Sequence, residues 1–403
     1  MEEIGEYDCP MPETFQEKIG ITVVLAWLFY LGFVTRILFG PLMPAVEKDL
    51  GISHAEAGLL FLMLSVGYMI APAVSGLISR KIEHRGALKL SAWLVGLALL
   101  PFTFVESVWT MGGLLMIVGF AGSLHLPSAI ATITAEIQKS DWGKGLSVHQ
   151  CAPPLSFISA PLLAAALLQW LNWRQVLLCW AILALFSALL YTLYGRGGEF
   201  PGRPVSPTNV QKIGTLPSFW IMVALFAVAM GGNAGIFAML PLFFVAEKGF
   251  ELGWANTLIG LSQFSGLAVV FFAGLLTDRI GQKRVMALSL SGSALLTITI
   301  ALAEGWLLIT ALFLQPAVLT AFFPAAFGAL ARIAQPSMRS VTSALGPPLA
   351  FLFGGGLIPL LIGSLAEGVS FAAGVLVAGG VMLLALPMLY FLRIGQYDAE
   401  AGC

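Results

Sequence analysis

Twelve stretches of predominantly apolar residues, each of about 20 or more and so long enough to cross a ~30 Å hydrocarbon layer as a helix, recur along this chain of 403 residues. They cover 19–46, 57–79, 87–105, 109–137, 145–171 and 174–194, then 218–246, 254–277, 285–303, 306–334, 340–366 and 370–392. Runs of this length without charge satisfy their backbone in lipid by coiling into helices. The expected fold class is therefore all-α and integral to the membrane. Composition agrees: 58% of residues are hydrophobic and 10% charged, against roughly 45–50% and about 25% in soluble domains. The net charge of −1 arises from opposite signs sorted along the chain, and it points to no nucleic acid or acidic partner.

The one long polar interval, "GRGGEFPGRPVSPTNVQKIGTLP" at 195–217, is rich in Gly, Pro and charge and reads as a linker. It divides the chain into a six-helix bundle over 19–194 and another over 218–392, with tails at 1–18 and 393–403. The first tail holds Glu2, Glu3, Glu6, Asp8, Glu13 and Glu17 against Lys18, the reverse of a signal peptide's basic start, so the first apolar segment is expected to be retained. With the N-terminus in the cytoplasm, sixteen of the twenty Lys and Arg fall at cytoplasmic faces. Lys48, Arg174 and Lys248 fall outside, and Arg36 lies in the membrane. The positive-inside rule then places both termini in the cytoplasm, with the chain in the cell membrane. Cys9, Cys151, Cys179 and Cys403 have no metal or redox spacing, so neither a disulfide framework, a metal site nor a cofactor is expected.

The two halves echo each other. "PLMPAVEK" (41–48) aligns with "PLFFVAEK" (241–248), and "APPLSF" (152–157) with "GPPLAF" (346–351), each pair in corresponding segments. Parallel six-helix repeats place a substrate site between the halves, near the midplane.

The loop after the eighth segment reads "GLLTDRIGQKR" (274–284), and it resembles the cytoplasmic-loop signature of the major facilitator superfamily in Gly274, Asp278, Arg279, Gly281, Lys283 and Arg284. With twelve segments and a 6+6 repeat, the resemblance covers essentially the whole chain and implies two pseudo-symmetric six-helix bundles. It further implies that Asp278, Arg279, Gly281, Lys283 and Arg284 latch the cytoplasmic side shut in an outward-open state; a purely topogenic role is the alternative. Gly281 suits a tight turn, and Asp278 can accept from the free N–H groups of the next helix. The first-half copy, "GLISRKIEHRG" (76–86), departs from the pattern with Arg80 in place of the acid and Glu83 in place of the glycine, so no latch is expected there.

Arg36 is the outstanding residue. It lies 17 residues past Ile19, about 25 Å along a ~42 Å helix, where a charge costs at least roughly 2.5–3.5 kcal/mol and needs a partner. Phe29, Gly32, Phe33, Gly40 and Met43 share its helical face. An arginine held by carbonyls or a buried acid would be structural, but no Asp or Glu stands in the interior of any segment, Glu136 being at a cytoplasmic end. The alternative is that Arg36 binds an anion. The resemblance implies that the first, fourth, seventh and tenth segments surround a central cavity, which brings forward His125, Asn233 and Gln315; Tyr68, His149, Gln150 and Gln263 lie at accessible depths in neighbouring segments. Each of these can equally bridge helices. Arg36 with His125 is the foremost pair for substrate, and His125 with His149 for protons, since imidazole titrates near working pH. Pro41, Pro44, Pro153, Pro154, Pro161, Gly231, Gly232, Gly235 and Gly354–Gly356 allow hinges or close packing.

Multidrug antiporters of the superfamily commonly carry an acid in the first helix and an arginine in the fourth; here there is Arg36 in the former and no Lys or Arg between Trp109 and Ala135 in the latter. Nitrate carriers typically use arginines from both halves, and the second half has none at the midplane. No catalytic triad, phosphate loop or metal spacing supports an enzyme. The expectation is a monomeric secondary carrier that takes up a small organic anion, a carboxylate or sulfonate, with a proton as coupling ion. An exporter of drugs or metabolites is the alternative.

Overall fold

A computed structural model describes residues 15–203, 206–335 and 338–395. Most of both expected tails, with Cys9 and Cys403, lies outside this range. The elements are helices throughout. By length and composition, eleven helices or bent helix pairs among the described residues can cross a membrane. One of these, His54–Phe104, has 51 residues, far more than one crossing needs, and it is parted at Glu83, which makes twelve.

In order these are α1 (Phe15–Ile37 and Phe39–Leu50), α2 and α3 (the two arms of His54–Leu99), α4 (Val108–Glu136), α5 (Trp142–His149 and Ala152–Leu167) and α6 (Trp173–Tyr194). The second half comprises α7 (Pro217–Met230, a π turn Gly231–Gly235, Ile236–Ala246), α8 (Leu252–Ile280), α9 (Gln282–Leu302) and α10 (Gly305–Thr320 and Phe322–Leu330). It closes with α11 (Arg339–Phe351, a π turn Leu352–Leu357, Ile358–Gly368) and α12 (Phe371–Leu384 and Met388–Phe391).

Proline explains where several helices break. Pro41 has no N–H for the Ile37 carbonyl, and α1 bends at Leu38; Pro153 and Pro154 leave the carbonyls of His149 and Gln150 unbonded, and α5 breaks there; Pro324 does the same to Thr320, and α10 breaks at Ala321. Side chains cap helix starts at one end of the molecule: Ser53 and Glu56 form a capping box for α2, Asn172 and Gln175 one for α6, and Ser370 caps α12. This is the far end, opposite the linker.

The bundles meet where α1 faces α7, α2 faces α11 and α5 faces α8. Their tightest packing lies on the far side of Arg36. A Cβ on Gly58 would sit 2.6 Å from the Pro359 carbonyl, and one on Gly40 3.2 Å from Ala238 Cα. Asn256 Nδ2 donates across the seam to the Pro41 carbonyl at 3.1 Å, and the His54 ring lies 4.6 Å from that of Phe371. The repeat-related acids Glu47 and Glu247 each tie down this end, the first to His54 Nδ1 at 3.0 Å and the second to the Ala372 N–H at 3.2 Å.

At the linker end, the loops joining α2 to α3 and α8 to α9 are repeat-related. Gly281 has φ 87° and ψ 153°, and Glu83 has φ 62° and ψ 170°. That region is essentially reserved for glycine, so Glu83 carries the strain that Gly281 avoids. Its neighbours are tied down by the linker: His84 N donates to the Phe200 carbonyl at 3.1 Å, Arg85 N to that of Gly198 at 2.8 Å, and Arg85 pairs with Glu199.

Candidate functional site

Arg36 stands in the last turn before the bend of α1, with 8% of its surface exposed. Neither an acid nor a carbonyl holds it among the described residues. Three rings do: its guanidinium carbon lies 4.1 Å from the centroid of Phe33, 4.5 Å from Tyr68 on α2 and 4.6 Å from Phe351 on α11. At about 0.5–2 kcal/mol for each such face, the cage offsets much of a burial cost of roughly 2.5–3.5 kcal/mol. Yet Nε and Nη1 are buried without a hydrogen-bond partner among the described residues. π faces compensate charge but accept hydrogen bonds poorly, so the donor edge of the fork is left over.

Of the residues expected at the site, His125 makes its side-chain contact with His149, the other member of the expected proton pair. His125 Nε2 and His149 Nε2 are 3.3 Å apart, with 3% and 0% of their residue surfaces exposed. One nitrogen must donate and the other accept, so two neutral imidazoles fit as a single tautomeric pair. Phe29 stacks on both, at 5.5 Å from His125 and 4.6 Å from His149. Phe29 lies seven residues before Arg36, which puts the histidine pair about 10 Å from it toward the linker end. Phe33, edge-on to Phe29 at 5.7 Å, bridges the interval. His149 Nδ1 is buried and unpartnered among the described residues.

The amides of the second half gather separately. Asn233, Gln263 and Gln315 line a small cavity of about 10 Å³ with Gly232, Phe237 and Pro316, enough for about one water. Gln315 is a clamp: its Nε2 donates to the Gly232 carbonyl and to Ser293 Oγ, both at 3.0 Å. It thereby holds the π turn that carries Asn233. That turn crosses the π turn of α11 glycine to glycine, for a Cβ on Gly354 would overlap the Ala227 carbonyl and one on Gly235 the Gly354 carbonyl. Such π turns often mark functional sites. Aromatic contacts join the two groups across the seam, Phe33 to Phe157 at 5.9 Å and Phe157 to Phe237 at 4.9 Å.

Phe157, Phe237 and Phe351 were not among the expected site residues. Phe157 and Phe351 close the repeated "APPLSF" and "GPPLAF", so the signal lay in the repeat itself. In the loop motif Asp278, Arg279, Lys283 and Arg284 are exposed. The expected cap by Asp278 is absent: the N-cap of α9 is Gly281, with no side-chain cap, because Asp278 still belongs to the last turn of α8.

Twelve crossings in two halves, with convergent polar groups at mid-depth along the seam, define a multi-pass membrane carrier. The family model of the Major Facilitator Superfamily matches residues 23–274 and 249–400, and the chain belongs to that superfamily. It is a transporter and not an enzyme. It is 25% identical over 384 residues to an MFS-type efflux pump of Mycolicibacterium smegmatis, covering 90% of this chain and 87% of the pump. A probable nitrate/nitrite transporter of Mycobacterium tuberculosis is 25% identical over 290 residues, 70% of this chain and 72% of that protein. A probable sulfoacetate transporter of Cupriavidus necator is 19% identical over 310 residues, 72% of each. Among solved structures, a bacterial homologue of the human lysosomal transporter Spinster superimposes with a TM-score of 0.80 at 14% identity, covering 93% of this chain and 96% of that one.

Proposed function

We infer that this transporter carries a small organic monoanion, a carboxylate or sulfonate, into the cell together with a proton. The observation that carries the reading is Arg36, a buried cation between the bundles whose Nε and Nη1 meet neither an acid nor another acceptor among the described residues. An anion arriving there gains charge-assisted hydrogen bonds in a site of low dielectric. The nitrate/nitrite and sulfoacetate relatives support an anionic cargo. His125 and His149 supply the proton site, because their pair offers a free ring nitrogen one aromatic step from the cation. Asn233, Gln263 and Gln315 form the facing wall.

By the positive-inside rule the linker end is cytoplasmic. Closure on the far side of Arg36 is then closure to the outside, the arrangement in which a cytoplasmic latch by Asp278, Arg279, Lys283 and Arg284 would be open. The efflux pump favours a second reading, proton-driven export of drugs or metabolites.

The test is thermal stabilisation of the purified protein by carboxylates, sulfonates, nitrate and cationic drugs, followed by uptake into proteoliposomes. Arg36→Ala should abolish anion-dependent stabilisation and uptake. Arg36→Lys should retain part of both, because lysine keeps the charge and loses the fork. Stabilisation by cations alone, indifferent to Arg36, would sink the anion reading in favour of export.

A further inference from the structure

The surroundings of Arg36 say what kind of anion fits, provided that the anion reading holds. Phe33 and Tyr68 come from one bundle and Phe351 from the other, all three against the guanidinium. Phe157 and Phe237 continue the wall, again one from each bundle. Phe33, Tyr68 and Phe157 are only half-buried although they stand at mid-depth on the seam, so ring surface remains to be covered. Phe157 and Phe351 are the same position in the two repeats, which sets matching rings on either side of the seam. Among these side chains there is a single charge, one phenolic hydroxyl and no further polar group.

We propose that the cargo is a monoanion with an apolar body, an aryl or short alkyl monocarboxylate or monosulfonate, its head on Arg36 and its body between Phe33, Phe157, Phe237 and Phe351. A second carboxylate would be buried opposite ring faces without a cation. Hydroxyl groups lying against Phe33, Phe157 and Phe351 would lose water and find one phenol to replace it, since the amides of Asn233, Gln263 and Gln315 stand beyond them beside Phe237. Nitrate has the charge but no body, and the rings gain nothing from it.

The experiment is competition and thermal shift on the wild-type full chain, with benzoate, benzenesulfonate and hexanoate set against lactate, nitrate, succinate and gluconate. Burying one ring-sized apolar body should favour benzoate over lactate or nitrate by about tenfold or more. Phe157→Leu and Phe351→Leu, which keep apolar bulk and lose the ring face, should narrow that preference more than they weaken lactate binding. If nitrate, succinate or gluconate binds as well as benzoate and loses binding in Arg36→Ala, the apolar-body proposal is overturned while the anion reading stands. If no anion binds in an Arg36-dependent way, both fall. Because the preference is read on the wild-type protein, it does not depend on the variants folding.

Discussion

The two halves share a fold and divide the chemistry. The first holds Arg36, His125 and His149, the titratable groups of the buried seam, and its site helices α1 and α5 break at prolines. The second lines its cavity with the amides of Asn233, Gln263 and Gln315, and its counterparts α7 and α11 carry π turns crossing at glycines. The two repeats thus share a scaffold, with a buried cation and two histidines on one side and amides and glycine-packed π turns on the other. Both arrangements are close-packed: rings from both halves, Phe351 among them, cage the cation, and the π turns meet at glycines under the Gln315 clamp.

The largest effect should separate the halves directly. Arg36→Ala removes the charge-assisted contacts and should lower uptake by roughly 100-fold or more, while Asn233→Ala, one neutral amide, should cost about tenfold or less. Equal losses in proteoliposome uptake would erase the division of labour. Next in size is coupling: if protons enter with the anion as proposed, wild-type uptake should rise as the outside is made more acidic. In His149→Gln the inward proton gradient should lose its stimulation while anion counterflow persists. A gradient response undiminished in that variant would place the proton site elsewhere.

Smaller still is Gln315→Leu, which strips the Gly232 carbonyl of its donor. It should destabilise the protein by about 1–3 kcal/mol, seen as a lower melting temperature, with substrate preference unchanged. A changed preference at full stability would make Gln315 a substrate ligand. The smallest effect compares the loops. Glu83→Gly relieves a strain of about 1–3 kcal/mol, less roughly 0.5–1 kcal/mol of added chain entropy, and should raise the melting temperature slightly. Gly281→Ala should lower it. Opposite signs would confirm that the two loops share one backbone geometry.

The loops also show how much was legible in advance. The motif placed Gly281 at a turn and Glu83 at its repeat-related position, and both take the same unusual conformation. The cap expected from Asp278 required knowing where α8 ends, a matter of one turn that hydropathy does not resolve. Arg36, His125 and His149 were each visible as polar residues in apolar runs, but a single residue's depth does not tell which neighbour it meets.

What the sequence by itself determined is the all-helical membrane fold, its twelve crossings, the two repeats and the isolation of one cation at mid-depth. These follow from run length, proline and glycine positions and charge, all of them local or periodic along the chain. Only the tertiary structure decided that Arg36 is held by rings, that His125 and His149 share a hydrogen bond, and that Gln315 clamps a π turn. The reason is physical: these contacts join α1 to α2 and α11, α4 to α5, and α10 to α7. Which faces of those helices meet is set by the rotation of each in its bundle, and a nearly uniform apolar surface leaves that rotation to packing.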